Sequence, residues 1–146
     1  MKKIMMISSC LLIWAFGRSQ PVLESAKIMA AEKHQLILLN FSGSDWCIPC
    51  IKMRKEIFDN KEFKQLSDSL LIMINADFPR SKKNKKDIAT SLQNETLADK
   101  YNPDGVFPYT LLLDADGRVL KTWEGLPEGD AESFGREIKA FSRNFK

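Results

Sequence analysis

The chain is poor in the side chains that carry most polar catalysis near neutral pH. Of 146 residues only His34 is a histidine, and only three are cysteines. Nothing in the sequence pairs with His34 for acid–base work, so it reads as a helix-end or loop residue rather than a catalytic base. No glycine-rich phosphate loop, internal repeat or low-complexity tract occurs, which removes nucleotide-cradling motifs and repeat architectures from consideration. A surplus of charge is missing too. The formal charge is +3, from 22 basic and 19 acidic residues, but Lys2, Lys3 and Arg18 lie in a stretch without acids. Beyond residue 19, therefore, 19 basic residues face 19 acidic ones, and no global electrostatic argument for nucleic acid remains.

The first apolar run, Ile4 to Phe16, is too short and wrongly flanked to span a bilayer. With Lys2 and Lys3 before it and the small residues Gly17 and Ser19 after it, it reads as a secretory signal. The expected division is a signal peptide over residues 1–19 and one domain over 20–146, periplasmic or secreted. Ile7-Ser8-Ser9-Cys10 has the outline of a lipoprotein cleavage box, but most of the apolar run follows Cys10 instead of preceding it, so lipidation at Cys10 is the lesser reading. Once Cys10 goes with the signal, Cys47 and Cys50 are the only thiols, and no structural bridge is left to build.

Those two thiols lie in Ser42-Gly43-Ser44-Asp45-Trp46-Cys47-Ile48-Pro49-Cys50, between an apolar run, Leu36 to Phe41, and a segment with helical spacing, Ile51 to Phe58. A Cys-x-x-Cys pair where a strand hands over to a helix reads as a redox pair. Thiol exchange needs a thiolate, and the unpaired N–H groups and dipole at a helix start favour one. Such settings lower a cysteine pKa from about 8.5 to roughly 3.5–7.5. Pro49 suits the first turn, and Cys50 comes within bonding reach of Cys47 one turn on. Cys50, Met53 and Ile57 form one stripe, which predicts a buried Cys50 and a more exposed Cys47.

Trp46-Cys47-Ile48-Pro49-Cys50 resembles the active-site signature of thioredoxins. Gly43 to Cys47 followed by Lys52, Glu56 and Phe58, and later Asp77-Phe78-Pro79-Arg80, resemble exported bacterial members of that family. The resemblance implies an α/β thioredoxin fold, a central mixed sheet with helices on both faces. It implies Cys47 as nucleophile, Cys50 as resolving cysteine, Trp46 at the rim, and a cis Pro108 packed against the motif. Proline has no N–H for the sheet, so the main chain of Phe107 is left free to pair with an extended substrate segment. Two departures stand out. Tyr109 replaces a commoner threonine, and the buried acid that manages the second cysteine's proton is replaced by Asn40 or Phe41, depending on where one loop residue is inserted. Cys50 would then rely on water, on Asp45 or on the substrate thiolate.

Elsewhere, periodicity predicts a first helix over Leu23 to His34, a strand over Leu70 to Asp77, and a helix over Ile88 to Tyr101 with Asn94 capping its second part. A hairpin turns at Asp114-Ala115-Asp116-Gly117, with Trp123 packing in its second strand. Asp130 caps a last helix striped by Phe134, Ile138, Phe141 and Phe145. Between Asp77 and Asp87, Arg80, Lys82, Lys83, Lys85 and Lys86 read as a mobile solvated loop. The expected activity is thiol–disulfide exchange with protein substrates, in the reducing direction, without metal or organic cofactor. A reductase in an oxidising compartment needs a membrane electron donor, and a monomer is expected. The alternatives are a disulfide oxidase or isomerase, and a non-catalytic metal-binding or interaction module.

Overall fold

The computed structural model describes residues 21–143; the proposed signal segment with Cys10, and Phe145 of the last stripe, lie outside them. The element order is α1 (Val22–Lys33), β1 (Leu36–Ser42), α2 (Ile48–Met53) continued by a π-helical turn (Arg54–Phe58), α3 (Lys61–Leu70), β2 (Leu71–Asp77), a 3-10 turn (Lys82–Asn84), α4 (Ile88–Tyr101), β3 (Tyr109–Leu113), β4 (Val119–Glu124) and α5 (Ala131–Arg143).

All seven residues of β1 are buried, as an uninterrupted apolar run demands when both faces of a strand are covered. The strand order is β2-β1-β3-β4, with β2 parallel to β1 and the other two neighbours antiparallel. Alternate residues of β1 divide the interior. Ile37, Leu39 and Phe41 meet α1 and α4 through Leu23, Ala26, Ala30, Leu97 and Tyr101. Leu36 and Leu38 meet the other layer, where Met53, Ile57, Phe63, Phe134 and Ile138 come from α2, the π turn, α3 and α5. No helix among the described residues is long and apolar enough to cross a membrane.

Three expectations change. The helix after the motif does not run on uniformly: it widens into the π turn, and Asn60 then starts α3, its side chain accepting from the N–H groups of Glu62 and Phe63. Asn94 caps nothing, because α4 is continuous; its buried amide donates to the main-chain oxygen of Asp77 at 2.9 Å. In α1, whose apolar positions Leu23, Ala26, Ile28, Ala30 and Ala31 suggest one inward face from sequence, Ile28 is 53% exposed and the buried stripe is Leu23, Ala26 and Ala30. His34 ends α1 in the left-handed conformation (φ 54°), a helix-end residue as the sequence predicts.

Phe134 is the hub of the second layer. Its ring stacks on Phe63 at 5.6 Å and meets the edge of Trp123 at 5.0 Å. The Trp123 indole N–H donates to Glu137, which satisfies its one polar atom. Phe134→Ala should therefore lower the unfolding free energy by about 3–5 kcal/mol, read from urea denaturation with an unchanged slope.

Candidate functional site

β1 ends at Ser42, and a tight turn follows. Gly43 accepts main-chain bonds from Trp46 and Cys47, and a Cβ at Gly43 would fall within the Trp46 indole, so only glycine fits there. Cys47 is the N-cap of α2, extended at φ −89° and ψ 98°, with Pro49 in the first turn. The N–H of Cys50 donates to Cys47 Sγ at 3.3 Å. The two cysteines are joined in a disulfide, their Cα atoms 5.2 Å apart. The sulfur of Cys47 thus occupies the cap position, where a carboxylate or hydroxyl oxygen commonly sits and where a negative charge is favoured.

The expectation that Cys47 is the more exposed thiol is corrected: each cysteine is 4% exposed. Cys47 precedes the helix, so helical periodicity does not govern its direction, and its sulfur turns inward to meet Cys50. The exposed rim is Ile48, at 78%, together with Pro49. The Phe107–Pro108 bond is cis, and the Phe107 ring meets the Trp46 ring edge-on at 5.4 Å. All five residues singled out from the sequence, Trp46, Cys47, Cys50, Phe107 and Pro108, belong to this end of the sheet.

Behind Cys50 lies a cleft of about 450 Å³ lined by Asn40, Ser42, Asn75, Asp77 and Lys86 among others. This settles the choice between Asn40 and Phe41. Phe41 points into the layer of α1 and α4, whereas Asn40 shares the cleft with Cys50. Asn40 Nδ2 donates to Asn75 Oδ1 at 2.7 Å, and Asn40 Oδ1 accepts from Thr110 Oγ1 at 2.9 Å. The partnership across three strands was not foreseen from sequence; it depends on the pairing of Asn40 with both Asn75 and Thr110 in the sheet.

Asp45 is not available to Cys50. Its carboxylate accepts from the N–H groups of Arg80 and Ser81, both at 2.9 Å, and from the Asn84 amide at 3.0 Å. The Trp46 indole N–H donates to the Phe78 carbonyl at 2.7 Å, and the Arg80 guanidinium lies 3.8 Å above the Trp46 ring. The insert after β2 is therefore fastened to the motif, and the reading of it as a mobile loop is corrected. Alternating pattern and composition carry no trace of such a fastening, because a single carboxylate in another loop provides it.

A family model for the thioredoxin-like domain matches residues 23–141. The chain belongs to the thioredoxin-like family. Among curated relatives it is 37% identical over 109 residues to the disulfide bond reductase DsbH of Chlamydia pneumoniae, covering 75% of this chain and 63% of the relative. It is 29% identical over 84 residues to the thioredoxin-related protein DsbJ of the same organism, of which it spans 23%. The chain thus spans less than two thirds of either curated relative. A solved DsbH oxidoreductase matches with TM-score 0.72 and 30% identity, over 81% of this chain and 79% of that one. The reduced C-terminal domain of Neisseria meningitidis DsbD, at TM-score 0.53 and 23% identity over 81% of this chain and 92% of that one, shares the thioredoxin fold.

In this thioredoxin-like chain the Asp45 fastening is pH-dependent. The N–H of Arg80 first, then the Asn84 amide and the Ser81 N–H, hold the Asp45 carboxyl below its ordinary value of 3.8. A group whose pKa is depressed by folding contributes fully above its unfolded value and loses that contribution as pH falls through the folded one. The insert should stay fastened above the ordinary carboxylate range and loosen only in stronger acid. At neutral pH, Asp45→Ala should raise tryptic cleavage after Lys82 and Lys83 by roughly tenfold, read as the rate of appearance of the two fragments.

Proposed function

We propose that this chain is a protein-disulfide reductase of the cell envelope, exchanging disulfides through Cys47 and Cys50. The observation that carries the reading is the cysteine pair itself: Cys47 Sγ sits at the cap of the motif helix within reach of the Cys50 N–H, and the two sulfurs are close enough to bond. The leader-like residues 1–19 support the envelope assignment, and the likeness to the disulfide bond reductase DsbH supports the reducing direction. Ile48-Pro49 brings no histidine beside Cys50 to stabilise the Cys47 thiolate further, and a less stabilised thiolate makes a more reducing pair.

Reduced Cys47, as thiolate, attacks one sulfur of a substrate disulfide; an S–S bond to Cys47 forms, and the first substrate thiolate leaves and takes a proton from solvent. The Cys50 thiol then gives its proton to water in the cleft or to the second substrate sulfur as it departs, and its sulfur attacks Cys47 Sγ. The products are a reduced substrate dithiol and the Cys47–Cys50 disulfide, two electrons having passed to the substrate. Phe107, with Pro108 removing one sheet donor beside it, offers main chain to an extended substrate segment, and Trp46 shapes the rim. A membrane electron donor restores the dithiol, and the chain acts as a monomer.

The reduced protein should cleave the interchain disulfides of insulin, and Cys47→Ser should bring that rate to background. Cys50→Ser should accumulate mixed disulfides with substrate proteins, visible as bands that vanish on reduction. Equilibration with glutathione should give a potential nearer the about −270 mV of reducing thioredoxins than the about −120 mV of strong dithiol oxidases. A potential at the oxidising end would sink the reducing direction, and an unimpaired Cys47→Ser variant would sink the exchange itself.

A further inference from the structure

Five cations fall within seven residues of the insert, Arg80, Lys82, Lys83, Lys85 and Lys86, and all five are exposed. Three of the acids around them are already committed. Asp45 is filled by the insert's own N–H groups, Asp77 holds Lys86 at 3.3 Å and the Ser44 N–H and hydroxyl, and Asp87 caps α4 through Thr90. Glu95 lines the cleft that Lys85 and Lys86 share, so against four carboxylates the cluster keeps a local excess of one positive charge. Among the described residues Arg80, Lys82, Lys83 and Lys85 enter no ion pair.

A lysine-rich loop that serves only solubility can move freely, and ordering it costs conformational entropy. This one is ordered against the motif by the Asp45 carboxylate, the Trp46 indole and the 3-10 turn Lys82–Asn84. Its position is also tied to Phe107, whose ring meets Phe78 at 5.6 Å and Trp46 at 5.4 Å. The backbone that carries the cations is therefore held against the loop that carries the cysteine pair, with Arg80 over the Trp46 ring and Lys86 on the cleft that Cys50 lines. The cations are spread along a surface and form no enclosed cradle for a small anion, and no aromatic side chains are interleaved among them to stack bases.

We propose that the insert Arg80–Lys86 is an electrostatic docking surface for an acidic polypeptide segment next to the target disulfide. This names the substrate class of the exchange reaction and rests on that reading. Fields of this kind raise association rates by roughly 10- to 1000-fold and fade with ionic strength.

The test uses the reduced protein and three synthetic probes: a cystine-ring peptide flanked by four glutamates, the same peptide with four glutamines, and the uncharged hydroxyethyl disulfide. Rates are followed by separating the products after acid quench, at low and at high ionic strength. At low ionic strength the glutamate peptide should react about tenfold faster than the glutamine peptide, and the ratio should approach one at high salt. In the triple variant Lys82→Glu, Lys83→Glu, Lys85→Glu the ratio should fall below one, and circular dichroism establishes that the variant is folded. Lys82→Gln, Lys83→Gln, Lys85→Gln, which introduces no new charge, should bring the ratio near one. Equal rates for the two peptides with the native protein at low salt, or a preference that survives both triple variants, would overturn the docking surface while exchange with hydroxyethyl disulfide continues. Failure of the native protein to react with hydroxyethyl disulfide would overturn the exchange reading and the substrate assignment with it.

Discussion

The parallel pairing of β1 with β2 is the constraint on which the rest of the site depends. Its register sets Ser42 opposite Asp77, and the Phe78 N–H continues the ladder onto the Ser42 carbonyl at 2.8 Å. Both strands therefore end at the same edge of the sheet, where loops of parallel α/β folds converge. The chain leaving β1 carries the cysteines and the chain leaving β2 carries the basic insert. Asp77 binds the Ser44 N–H and hydroxyl, Asp45 binds the insert, and Trp46 binds Phe78. Each loop is thus held by a side chain of the other. Had the strands been antiparallel, the motif and the insert would lie at opposite ends of the sheet.

What could be read from the sequence is what depends on local pattern. The nearly continuous apolar run of β1, the Asp-Gly hairpin and the Asp130 cap, where the Ser133 N–H donates to the Asp130 carboxylate and the Asp130 N–H to the Ser133 hydroxyl, all follow from neighbours a few residues apart. The Cys-x-x-Cys spacing marked the site for the same reason. The failures involve contacts across 17 to about 40 residues. Asn94 has the composition of a cap, but its amide serves the Asp77 carbonyl seventeen residues away. The insert has the composition of a free loop, but Asp45 acts on it from 35 to 39 residues away. The burial of Cys47 is a local exception: a cap residue points where the turn at Gly43 sends it, outside the helical period that predicted Cys50.

Asn40 shows how the interior and the chemistry constrain each other. A carboxylate at this position, buried behind Cys50 between Thr110 and Asn75, would have to give up its charge or find a cation. The amide satisfies both neighbours and stays neutral, so the network carries no desolvation penalty for charge. The consequence is that the cleft offers Cys50 no carboxylate in that place. The other carboxylates that line the cleft are engaged, Asp77 by Ser44 and Lys86 and Asp59 by Arg54 and Lys64, so in the proposed exchange water and the departing sulfur are the routes left for the Cys50 proton.

That dependence connects the amide to the basic insert. A target cysteine surrounded by acidic residues has a raised thiol pKa, because like charge disfavours the thiolate, and a more basic thiolate leaves more slowly. Cations held beside the motif act against this. Lys82, Lys83 and Lys85, carried on backbone that the Asp45 contacts hold, would neutralise the acidic flank as it docks. A site with an amide behind its second cysteine depends the more on how the substrate's own flanking charges are met as its sulfur leaves.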